Sequence, residues 1–174
     1  MAKSTDKFSA LCLECGLCCN GAIFADVRLQ PGDDPTHLQS IGLPISIPHS
    51  ALRAPHFPQP CAALDGCRCR IYADRPAYCR QFDCLLLKGV KAGRMGSAHA
   101  LDTIHNARQK MESVLRLLRK LGDTDEHIPL AKRFRRTARR LDQVGLDKGA
   151  SATYGQLTLA FHDLNFLLSD AFYR

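Results

Sequence analysis

Regular periodicity is concentrated in the second half of the chain. Leu101, Ile104, Met111, Leu115 and Leu118 recur at three- and four-residue steps, with one turn skipped at Arg108. Such steps line one face of a helix with 3.6 residues per turn and predict a helix closing near Gly122. A second helix is expected from about Thr124 to Val144, with Leu130, Phe134, Ala138, Leu141 and Val144 on one face and Gly145 beyond its end. A third runs from about Ser151 to Phe172 on Leu157, Phe161, Leu164, Leu168 and Phe172. Consecutive amphipathic helices bury their stripes against one another, so residues 96–174 are expected to form a helical hairpin or three-helix bundle.

Residues 1–95 lack such a period. They hold every proline except Pro129 and every cysteine, a composition of turns and short elements. Ala22 to Leu29 has strand character around Ile23 and Val27. Turn chemistry at Pro31-Gly32-Asp33 leads into a short helix ending at Gly42, and Leu43 to Pro60, with five prolines, reads as a long excursion. Cys61 to Tyr72 reads as a hairpin turning at Asp65-Gly66. Asp74-Arg75-Pro76 resembles a helix start, with Asp74 as the cap, and that helix would carry Tyr78, Cys79, Phe82 and Cys84 before ending by Gly89. The fold expected is α+β: a small, irregular, cysteine-rich domain at 1–95 followed by a helical region at 96–174 packing on it.

The cysteines change the picture from fold to chemistry. There are nine, all between Cys12 and Cys84. Met1 to Ala10 has two lysines and no apolar run behind them, so no secretory signal is expected and the reading is cytoplasmic. No stretch approaches the ~18 consecutive apolar residues that a membrane helix needs. In a reducing compartment clustered cysteines are more often metal ligands or catalytic thiols than disulfides. Cys12, Cys15 and Cys18 are spaced by two residues, which suits tetrahedral zinc and also the opening of an iron–sulfur loop. Gly16 stands where such a loop needs an unusual backbone conformation or a close approach. Cys19 directly follows Cys18, and in an extended segment neighbouring side chains diverge, so the two are not expected to converge easily on one ion. Three local thiolates need further ligands for a closed site. Cys61, Cys67, Cys69, Cys79 and Cys84 are the candidates, with one of Cys67 and Cys69 superfluous.

Charge adds less than it first suggests. The formal value is +7, but four thiolates around one divalent ion lower it to about +5, and two such sites to about +3. Only its local pattern is informative. The run Lys132-Arg133-Phe134-Arg135-Arg136-Thr137-Ala138-Arg139-Arg140 is either the solvated face of an amphipathic helix, the reading preferred, or a surface for nucleic acid or an acidic protein partner. His37, His49 and His56 lie between the cysteine groups and are secondary ligand candidates. His99, His105, His127 and His162 read as surface residues. Asp26, Asp33 and Asp34 read as turn or strand-edge residues, with a place facing the metal centre as the alternative.

The run Cys12-Leu13-Glu14-Cys15-Gly16-Leu17-Cys18-Cys19 resembles the opening of the YkgJ-type cysteine-cluster family, described as a zinc- or iron-chelating domain. Pro60-Cys61-Ala62-Ala63-Leu64 and Cys69-Arg70-Ile71-Tyr72-Ala73-Asp74-Arg75-Pro76-Ala77-Tyr78-Cys79-Arg80-Gln81-Phe82 are similar to its second motif. The resemblance spans about residues 12–90. It implies Cys12, Cys15, Cys18, Cys19, Cys61, Cys69, Cys79 and Cys84 as metal ligands, and gives Cys67 no counterpart. It implies zinc or iron, the latter alone or as a 4Fe–4S cluster. A related cluster occurs in flagellin lysine methylases, which are longer chains, so an iron–sulfur enzyme is the alternative. Arg75 and Arg80 flank the downstream cysteines and are expected either to offset thiolate charge or to lie on a helix surface. Tyr72 and Phe82 are expected to pack around the loop. The expectation is therefore a metal-chelating protein in which residues 12–19 meet residues 61–84.

Overall fold

The computed structural model describes residues 7–48, 53–145 and 148–173. The chain forms two compact units, Met1–Asp83 and Cys84–Arg174. His49 and the side chain of Val144 lie outside the described residues.

The first unit is built around a small apolar core over which short elements are laid. Helix α1 spans Lys7–Cys15, strand β1 Asp26–Arg28, helix α2 Pro35–Ser40, strand β2 His56–Pro58, and strands β3 and β4 Leu64–Asp65 and Arg68–Cys69. A 3-10 turn over Tyr72–Asp74 precedes helix α3, Ala77–Gln81. β1 pairs antiparallel with β2, bringing Val27 opposite Phe57. Both side chains point to the same face and are buried with Leu29, Leu38, Leu43, Ile45 and Ala63. The strand expected over Ala22 to Leu29 is therefore present but short. Its partner lies inside the segment read as an excursion, because Pro58 ends the strand and so disrupts no ladder. An antiparallel Ser46–His56 bridge sets a further segment against β2.

Local chemistry explains the turns. Asp34 accepts hydrogen bonds from the amides of Thr36 and His37 at 2.9 and 3.1 Å, capping α2 with Pro35 in its first turn. Gly66 takes a positive φ of 59° at the β3–β4 hairpin, as the Asp65-Gly66 pair predicts. The helix expected from Asp74 is different in the structure. Asp74 belongs to the 3-10 turn, and α3 ends at Gln81 with Phe82 extended. Asp33 caps α3 from 44 residues away, its Oδ1 accepting the Ala77 amide at 2.8 Å. Cys84 then opens a separate helix, α4, over Leu85–Lys91.

The second unit contains α4, α5 (Ser97–Lys120), α6 (Leu130–Val144) and α7 (Lys148–Ala171). α5 packs along α7 and touches α4 and α6. Its buried stripe is Ala100, Ile104, Ala107, Val114 and Leu118. Ala107 fills the turn that the apolar pattern skipped, while Leu101 and Leu115 sit at the margin of the stripe. Leu157, Leu164, Leu168 and Phe172 are buried as expected. Phe161 stacks on Phe134 of α6, centroids 4.1 Å apart and planes within 2°. α6 begins at Leu130, after Pro129, rather than near Thr124. Among the described residues no helix is long and apolar enough to cross a membrane.

One buried polar network ties α6 to the turn before it. Arg133, expected on a solvated face, has 2% side-chain exposure, as does Asp123. Arg133 donates to Asp123 Oδ1 and to the Asp123 carbonyl, both at 2.9 Å. Arg136 donates to Oδ2 at 3.0 and 2.7 Å, and Thr137 donates to the same oxygen. Asp123→Ala leaves a buried guanidinium unpaired, a change that costs about 3–5 kcal/mol. The midpoint of urea unfolding should drop accordingly, whereas Asp125→Ala, at an exposed carboxylate on the rim, should shift it little.

Candidate metal centre

The first cysteines are carried by a helix and a turn, not by an open loop. Cys12 and Cys15 lie one turn apart on α1, with Cys12 exposed and Cys15 half-buried. Gly16 ends the helix at φ 67°, a conformation in which a β-carbon is strained. It also meets the hairpin. A β-carbon there would stand 3.0 Å from Cys67 Cα and 3.2 Å from Cys67 Cβ. Both reasons for glycine expected from the sequence, backbone conformation and close approach, operate at this position.

After Gly16 the chain turns again. The amides of Cys19 and Asn20 both bond the Gly16 carbonyl, at 2.9 and 3.0 Å. Cys18 and Cys19 are thus in a turn, and the extended geometry expected to drive them apart is absent. The Cys61 amide donates to the Cys19 carbonyl at 2.7 Å. This bond and the Gly16–Cys67 contact seat residues 15–19 against the start and the tip of the 61–69 hairpin.

The thiols of that seam influence one another. Burial pushes Cys19 up from 9.0 to about 12, reinforced by Cys61, Cys79, Cys69 and Cys15. Burial likewise pushes Cys79 up to about 12, with Cys61 and Cys69 adding to it and the Arg75 guanidinium opposing. Cys61 is raised by burial as well, while the Ala63 and Leu64 amides, bonding its sulfur, and Arg70 act in the thiolate's favour. Cys15, Cys19, Cys61, Cys69 and Cys79 therefore share one neighbourhood, in which ionising Cys19, Cys61 or Cys79 without a cation is unfavourable. Cys61 and Cys79 also lean on the apolar core.

The surrounding side chains hold this arrangement. Phe24 packs edge-on against Tyr78 and Phe82, centroids 5.7 and 4.9 Å away, on either side of Cys79 in sequence. Phe82 thus packs as expected. Tyr72 lies under Arg75, whose guanidinium carbon is 3.6 Å from the ring centre. Arg75 also donates to the Tyr72 carbonyl, and Arg80 donates to the Arg75 carbonyl. Asp33, expected as a turn residue, is also a positioning group. Its Oδ2 accepts the Gln30 amide at 2.8 Å while Oδ1 holds the start of α3, two residues before Cys79. A cap supplied across 44 residues leaves no local signature.

The other candidates stand elsewhere. Cys67 is at the hairpin tip against Gly16. Cys84 belongs to the second unit, where its sulfur accepts the Leu87 amide at 3.5 Å and caps α4. His37 is exposed on α2, 3.8 Å from Asp74, and His56 lies on β2. His99, His105, His127 and His162 are exposed, as expected. Among the described residues no group of three or more His, Cys, Asp or Glu side chains is arranged so as to hold a metal ion. The sulfurs are gathered in one region without being closed around a point. No protein-family model, no curated protein and no solved structure matches the chain.

Two outcomes test this geometry. Asp33→Ala removes two hydrogen bonds and should lower stability by about 1–3 kcal/mol, read from urea unfolding; an unchanged midpoint would show that α3 is held by other means. The raised thiols also give a pH dependence. A folded-state value above the unfolded one favours the protonated fold, so this contribution is whole below about pH 9 and disappears as pH rises through about 12. Metal-free, reduced protein should lose stability across that window, and Cys19→Ala should lose less of it.

Proposed function

We propose that the chain is a metal-binding protein that chelates zinc or iron, the latter alone or as an iron–sulfur cluster, through thiolates from both cysteine groups. The observation that carries this reading is the seam in which the Cys61 amide bonds the Cys19 carbonyl and Gly16 abuts Cys67, seating the first cysteine segment on the 61–69 hairpin; Cys79 packs on the same core as Cys61. Five soft donors share this region, and the buried ones, Cys19, Cys61 and Cys79, are costly to ionise by themselves and favourable to ionise around a cation. Sulfur-only donor sets select zinc or iron–sulfur centres over magnesium or calcium.

Supporting features surround the donors. Amide bonds to the Cys61 sulfur and the positive charges of Arg70 and Arg75 favour thiolate over thiol. The aromatic cluster of Phe24, Tyr78 and Phe82 packs beside Cys79 on the α3 side. The motifs at 12–19, 60–64 and 69–82 resemble the YkgJ-type cysteine-cluster family, and the sulfurs gathered in space come from all of them. Cys12 and Cys18 flank Cys15 and Cys19 on the same segment and are the next donors to consider. When bound, the metal supplies positive charge beyond that of Arg70 and Arg75, and each ligating thiol gives up its proton.

Protein purified anaerobically should contain zinc or iron by elemental analysis. A colourless zinc protein and a brown protein with iron and sulfide are distinguished by absorption. Cys61→Ala combined with Cys79→Ala should lower metal content about tenfold or more, since losing outer partners alone costs 10–100-fold in affinity at such sites. Cys67→Ala should keep it. Full metal content in the double variant would contradict the reading.

A further inference from the structure

The basic run on α6 has been sorted by folding into two sets. Arg133 is buried on Asp123, and Arg136 is paired with Asp123 and Asp125. Both oxygens of the buried Asp123 carboxylate are thereby consumed. Arg140 donates to the Leu121 carbonyl, which satisfies a donor and leaves its charge in place. Among the described residues no acidic side chain pairs with Lys132, Arg135 or Arg139, all exposed. These residues line a shallow concavity of about 480 Å³ together with Arg136, Arg140 and Gln143. Lys132, Arg135 and Arg139 recur at three- and four-residue steps and so share one helix face. At 1.5 Å per residue they span about 10 Å, near one Debye length at 0.1 M salt, so their charges act as one field.

We propose that this face of α6 binds the phosphate backbone of a double-stranded nucleic acid, without reading its bases. The concavity offers cations and one amide and no apolar anchor. A protein interface places aromatic or aliphatic side chains at its centre, and a membrane-surface helix presents an apolar face beside its basic one. On α6 the apolar face is already used, with Leu130 buried and Phe134 stacked on Phe161. The same stacking withdraws the run's one aromatic ring from any base. What remains is a fork-bearing, positively charged groove, and arginine forks match phosphate oxygens in pairs. Binding through such contacts is independent of sequence and steeply dependent on salt.

The test uses the full chain as purified and fluorescence anisotropy with a mixed-sequence DNA duplex and an RNA duplex of equal length. Three to four phosphate contacts predict that affinity falls with salt at a log–log slope of about −3. Lys132→Glu, Arg135→Glu and Arg139→Glu together should weaken binding about tenfold or more and flatten that slope. A control reversing the exposed Arg94, Arg116 and Lys120 makes the same change in net charge and should bind nearly as the wild type does. Circular dichroism and metal content should be unchanged in both variants. Salt-insensitive or absent binding, equal loss in the control, or tighter binding to polyglutamate or anionic vesicles than to either duplex would each overturn the proposal. Failure here would leave metal content untouched, so the two readings fail separately.

Discussion

A backbone seam carries the chemistry of the first unit. The Cys61 amide bonds the Cys19 carbonyl, and Gly16 lies so close to Cys67 that a side chain there would push the hairpin aside by a few tenths of an ångström. These contacts join segments more than forty residues apart, and through them the sulfurs of 15–19 come to share surroundings with those of 61–79. The core beneath is modest: two short paired strands, α2 and the hairpin around Phe57 and Val27. Small cores commonly rely on a metal or another cross-link. A centre that bridges this seam would stabilise the fold and be positioned by it at the same time.

The second unit has a different logic. Its stability comes from helix stripes of ordinary kind, Ile104, Val114 and Leu118 of α5 with Leu157, Leu164 and Leu168 of α7 among the fully buried residues. Onto this apolar packing is set one charged network at Asp123. By taking Arg133 and Arg136, that carboxylate decides which cations of α6 remain outside, and so shapes the surface as much as the interior.

Much of this was legible in the residues. The stripes of α5 and α7 follow from periodicity, the hairpin from Asp65-Gly66, and the demands on Gly16 from its place among the cysteines. What escaped reading was non-local. β2 hides in a proline-rich stretch because pairing with β1, not propensity, makes it a strand. α3 is capped by Asp33 rather than by adjacent Asp74, and the chain breaks at Phe82 to start α4 from Cys84. Arg133 looked like its neighbours in a basic run, and only the tertiary position of Asp123 sets it apart. Each miss is a case where a partner distant in sequence determined the local outcome.

The central claim is that sulfur from both segments surrounds one inorganic centre. X-ray absorption at the metal edge of anaerobically purified protein measures that shell directly. A shell of sulfur alone, at about 2.3 Å for zinc, that loses occupancy when Cys19 and Cys61 are replaced is the expected result. A shell of oxygen or nitrogen, or a sulfur shell indifferent to both replacements, would contradict it.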